Sequence, residues 1–153
     1  MTRRTDFGHT RLQATQWRAP ETDDVAHRAW FALHYNLAQT RRMAAGDEEY
    51  RRVALLRMSV YGTGDLWHGY AAIRRMAWPG DREQLRRLQV EDPTFLDLFE
   101  AVLVAPALDA KLAAYERAVH HAAAPMGEQW RADDEPTNLP SPPITWSELL
   151  AED

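Results

Sequence analysis

The stretch Ala71–Gln89 reads AAIRRMAWPGDREQLRRLQ. Two helix-forming runs, rich in Ala, Leu, Met and Arg, flank a Trp78-Pro79-Gly80-Asp81 corner. Proline followed by glycine stops one helix, and Asp81 with Gln84 has the spacing of a capping box that starts the next. This helix–corner–helix unit sets the expected architecture.

The same grammar extends in both directions. Upstream, Asp23 and Asp24 suit the positive end of a helix that should run to about Ala45, with Gly46 as its stop. Val25, Ala29, Ala32, Leu33 and Leu37 give it an apolar stripe. Asp47 can cap a second helix carrying Tyr50, Val53, Ala54, Met58 and Tyr61. The run YGTGD is then expected to break the chain before Asp65 starts a third helix with Leu66, Trp67, Tyr70, Ile73 and Met76. Downstream, Asp92-Pro93 pairs a cap with proline at the first helical position. Phe95, Leu96, Phe99, Val102 and Leu103 make a fifth helix. A sixth begins at Pro106, with Leu108, Leu112, Tyr115 and Val119 inward. Residues 1–21 read as an N-terminal arm and 22–132 as the helical domain. Residues 133–153 read as a Pro-rich tail closed by the short TWSELL helix with Trp146. The expected fold is an all-α, antiparallel four-helix-type bundle with extra short helices.

With 153 residues the chain suits one core, and 45% apolar with 27% charged residues is an ordinary soluble composition. No cysteine is present, which removes disulfides, thiolate metal sites and a cysteine nucleophile. MTRRTDFGHT has no apolar run behind its arginines, and nothing approaches the roughly 20 apolar residues of a membrane span. A cytoplasmic protein without membrane contact is expected. Charge is uneven: residues 1–89 carry a net +5 and residues 90–153 a net −10. The basic half can face phosphate or pair internally with the acidic half.

Arg74 and Arg75 end one helix and Arg86 and Arg87 lie on the next. With Trp78 they are the candidate ligand-binding residues, able to converge on an anion by bidentate contacts. The competing reading has these arginines paired with Asp81, Glu83 or Glu91. Arg28 and His34 form R-x5-H, a spacing that resembles the R-x4–6-H pattern of HEPN ribonucleases, and an arginine and a histidine near one helix face are able to bind RNA phosphate and transfer a proton at a 2′-hydroxyl. His27 with His34, and Glu116 with His120, have helical spacing, but no Glu-x-x-His pair supports a di-iron site, so no metal and no cofactor are expected. No Gly-rich phosphate loop and no G-x-S-x-G occur.

The segment 34–88, from HYNLAQTRRMAAGDEEYRR through AWPGDREQLRRL, resembles the helical half of small nucleotidyltransferases of the aminoglycoside and kanamycin-modifying type. The matching elements are Gly46-Asp47, Arg51-Arg52 with Arg57, Trp78-Pro79-Gly80, and Pro93 to Leu98, within about residues 23–122. Where that family carries lysine and an aromatic after the corner, this chain has Asp81, Arg82 and Glu83. The family's G-S-x10–12-D-x-D element, which holds magnesium and nucleotide, has no match here. The resemblance implies a non-catalytic binding or regulatory domain. It would act with a separate catalytic nucleotidyltransferase subunit or as a homo-oligomer, or bind a small polar or phosphate-bearing ligand. The alternatives are a ribonuclease similar to HEPN domains, using Arg28 and His34 and contacting nucleic acid, and an assembly protein using its charged faces and tail.

Overall fold

The computed structural model describes residues 23–127. The expected N-terminal arm, the Pro-rich tail and its Trp146 helix lie outside them. The described chain is all-α: α1 Asp23–Ala44, α2 Glu48–Arg57, a π-helical turn Met58–Gly62, α3 Thr63–Ile73, α4 Asp81–Glu91, α5 Pro93–Val104 and α6 Leu108–Ala123, closed by a 3-10 turn Ala124–Met126. No strand occurs among the described residues. α1 packs on α2, α3 and α6, while α5 packs mainly on α6 and also on α4 and α3. Leu33 and Leu37 of α1, Leu66, Tyr70 and Ile73 of α3, Phe95 and Val102 of α5, and Tyr115 and Val119 of α6 form the buried centre.

Two of the expected caps form as drawn. The Asp47 carboxylate accepts the Tyr50 N–H at 3.0 Å, and Asp92 accepts the Phe95 N–H at 2.9 Å. At α4 the cap differs. Gly80, at φ 94°, occupies the N-cap without a side-chain bond, and Asp81 instead accepts the Trp67 indole N–H at 2.9 Å. Gln84 is fully buried, and neither end of its amide has a hydrogen-bond partner among the described residues. An unpaired buried amide is costly. Gln84→Met, which keeps the volume and removes the polar atoms, should therefore raise stability by about 1–2 kcal/mol in urea unfolding. A loss would mean that the amide has a partner.

The YGTGD break does not occur. Gly62 and Thr63 keep right-handed helical dihedrals, and α2 runs through the π turn into α3, with the Thr63 N–H bonded to the Met58 carbonyl five residues back. Ser59 and Thr63 hydroxyls donate to the carbonyls of Leu55 and Ser59, a back-bonding that distorts helical turns. The use of Gly62 is packing rather than flexibility. A Cβ there would sit 3.0 Å from the Tyr115 ring and hydroxyl, so glycine lets α6 press its tyrosine against the turn. Tyr50 and Val53 of α2, Tyr61 of the π turn and Leu103 of α5 are exposed.

α3 ends well before Pro79-Gly80. Arg75 adopts φ 53°, the N–H of Arg75 bonds Ala72 and that of Met76 bonds Ala71. This is the left-handed helix stop normally given to glycine. Lys111, the chain's one lysine, is buried and donates to the Val102 and Leu103 carbonyls, closing the negative end of α5.

Candidate functional site

The arginines of the opening stretch do not share a partner. Arg74 crosses to α6, donating to the Ala122 carbonyl at 2.9 Å, and lies over the Tyr70 ring at 3.7 Å. Arg75 pairs with Asp23 at the start of α1. Arg86 and Arg87 stay on their own helix, with Glu83 at 3.7 Å and Glu91 at 4.0 Å. The two pairs are thus tied to different elements, and the second pair has the Glu83 and Glu91 partners of the competing reading. Elsewhere basic and acidic halves meet: Arg41 with Glu116, and Arg51 with Asp109.

Arg28 and His34 lie in different surroundings. Arg28 is exposed and pairs with Asp24 one turn back. His34 is only 7% exposed, edge-on to Trp30 and 6.4 Å from the His120 ring. Burial, then the charges of His120 and Arg41, lower its pKa to about 4. Folded His34 stays neutral while the unfolded chain takes up a proton below about pH 6.5, so acid favours unfolding. Stability should fall by on the order of 2 kcal/mol between pH 7 and pH 4.5. Urea midpoints of wild type and His34→Gln across this window check it; parallel profiles would refute it.

A second polar group joins α3, α5 and α6. Asp92 accepts the Tyr70 hydroxyl at 2.8 Å and faces His121 Nε2 at 2.9 and 3.1 Å. Burial pushes the Asp92 carboxyl up, but the bonds from His121, the Phe95 N–H and Tyr70 outweigh it and hold the carboxyl below its usual value. Tyr70 is pushed up to about 12 by burial and by its bond to Asp92. These bonds are internal and clamp three helix ends together.

A cavity lies between α1 and α3. It holds about 270 Å³ and is walled by Val25, Ala29 and Ala32 on one side and by Ala71, Ala72 and Met76 on the other, with Asp65, His68 and Trp78 as its polar and aromatic lining. Trp78, from the candidate set, is half-buried rather than enclosed, and its ring lies 4.3 Å from His68 and edge-on to Trp67 at 6.3 Å. Its role as a structural anchor of the corner is smaller than a fully buried indole would give. Asp65 is positioned by α1: the Asn36 amide donates to its Oδ2 at 2.6 Å, and Asn36 Oδ1 in turn accepts Arg57 at 3.0 Å. Desolvation raises the Asp65 pKa, against the bond from Asn36 and the charges of His68 and Arg57. His68 Nδ1 sits 3.0 Å from the Gly64 carbonyl. Because a carbonyl only accepts, Nδ1 carries the proton and Nε2 is left as an acceptor.

Sequence reasoning missed Asp65, His68 and Asn36 as site residues. Asp65 looked like a helix cap, and its distance from Asn36 in the chain hid the bond. A second, more open apolar groove of about 510 Å³ is lined by Thr63, Gly64, Trp67, Leu85, Phe99 and Leu103, with Asp81 and Arg82 at its edge. Among the described residues, no three His, Asp or Glu side chains come together as a metal site, and no helix is long and apolar enough to cross a membrane. No protein-family model, curated protein or solved structure matches the chain.

Proposed function

We propose that the chain is a helical binding domain without catalytic activity of its own, of the type implied by the resemblance to the substrate-binding half of small nucleotidyltransferases. Its ligand site is the cavity between α1 and α3. The observation that carries this reading is the cavity's composition: apolar walls, with the half-buried Trp78 indole and the solvent-exposed Asp65 carboxylate and His68 imidazole in its lining. The arginines contribute to helix ends and ion pairs instead. The open groove beside Trp67 and Phe99 supports action with a separate catalytic subunit, since a contiguous apolar surface is what a partner covers.

The test is a melting-temperature screen of the full chain against a mixed panel of small metabolites, with Ala72→Met as the cavity-filling control. A ligand should raise the melting temperature of the wild type only, because binding to the folded state stabilises it by mass action. The same preparation should transfer no nucleotide from ATP with magnesium, and adenylylation by the purified chain would overturn the proposal. Cleavage of RNA that His34→Ala abolishes with the fold intact would establish the ribonuclease reading in its place.

A further inference from the structure

We infer that the cavity between α1 and α3 recognises a small organic monocation with an apolar body, a primary aralkylamine or alkylamine. The inference rests on the binding-domain reading and names its ligand class.

Charge and hydrogen-bonding capacity at the cavity select the class. Asp65 forms no ion pair among the described residues; its direct partner is the neutral Asn36 amide, which engages Oδ2. No hydrogen bond reaches its Oδ1 among the described residues, and Asp65 is solvent-exposed where it lines the cavity. The guanidinium of Arg57 stands one step behind, held by the Asn36 oxygen rather than by the carboxylate. His68 adds a second acceptor, Nε2, because its Nδ1–H is spent on Gly64. Asp65, His68 and Trp78 line one cavity, and a carboxylate, an imidazole acceptor and an indole are the groups whose chemistry suits an ammonium with its three donors. An anionic ligand would meet the Asp65 carboxylate with like charge and no donor on the alanine walls.

The remainder of the ligand is set by what the walls lack. Ala29, Ala32 and Ala72 present methyl groups, and Met76 a thioether. None can pair with a row of hydroxyls, so a sugar amine would bury polar groups without partners. The volume, about 270 Å³, lies just under the usual range for drug-sized ligands and fits a fragment-sized molecule. The further reason for a carboxylate here is its setting. Asp65 stands in the first turn of α3, immediately after the π turn, and such turns often mark functional positions.

The experiment is calorimetric titration of the full chain with phenethylamine, 2-phenylethanol, 3-phenylpropionate and glucosamine. Phenethylamine should bind at least roughly tenfold tighter than the alcohol, the size expected of a charge-assisted bond, and the other two should bind more weakly still. Asp65→Asn, which keeps shape and the link to Asn36, should erase the amine's advantage. Ala72→Met should abolish binding while Asp65 remains, and unchanged far-UV dichroism and melting temperature verify that each variant is folded. Equal binding of amine and alcohol, binding of the amine that ignores Asp65→Asn, or binding that survives Ala72→Met would overturn the inference. Tighter binding of the acid or of glucosamine, lost in Ala72→Met, would overturn it too and leave the binding-domain reading standing. No binding by any of the four removes the inference; failure of the whole metabolite panel as well removes both.

Discussion

Phe95→Ala is expected to lower stability by about 3–5 kcal/mol, the loss typical of removing a buried aromatic ring. The ring is fully enclosed, stacked on Tyr70 at 4.2 Å and flanked by His121 at 6.1 Å and Phe99 at 6.2 Å. From its own helix α5 it therefore packs against both α3 and α6. Small domains have only about 5–15 kcal/mol in total, so this variant should be close to half-unfolded in modest urea. Phe95→Leu should recover most of the loss. A loss of less than about 1.5 kcal/mol for alanine in urea unfolding would mean that the contact is much looser than described.

The second large effect is at Asp92. Alanine there removes the cap of α5, the acceptor for Tyr70 and the partner of His121 in one step. Loss of a cap and of a partly buried acceptor together should cost about 2–4 kcal/mol. Asparagine keeps an acceptor for the Phe95 N–H and should cost about half as much, on the order of 1–2 kcal/mol. The Asp92 carboxyl titrates below its unfolded value, so its contribution is present above about pH 4 and is lost as pH falls through the folded pKa. This window lies below that of His34. Acid unfolding of the wild type should accordingly begin with the histidine, and Asp92→Ala should lower stability throughout while flattening the pH dependence only at its lower end. Equal urea midpoints for Asp92→Ala and wild type at pH 7 would refute the clamp.

The features that could be read from sequence were local ones. Asp47 and Asp92-Pro93 act on N–H groups three residues away, so their geometry is written in adjacent residues. The all-α class followed from apolar spacing in the same way. What failed depended on distant partners. Whether Gly62 breaks a helix was decided by Tyr115 on another element. Whether α3 ends at Arg75 or at Pro79 was decided by a backbone turn whose arginine reaches Asp23. The site suffered most. Alanines at 29, 32 and 72 look like plain helix formers, and only the register of α1 against α3 turns them into walls around Asp65. The arginine pairs had the reverse problem. Their chemistry suits phosphate, but a cation's partner is fixed by position, and here the partners are carbonyls and carboxylates of the fold itself.

The π turn at Met58–Gly62 works like one surplus tooth on a gear. Every residue in an ordinary helix advances about 100° around the axis, so a single inserted residue re-indexes everything after it against everything before. Deleting exposed Ser59 would straighten the helix, yet it would also wheel Gly69 off Leu33 and swing Asp65 off Asn36. A change of one residue in length here therefore alters which wall faces α1, where the same change in a loop would alter only its size.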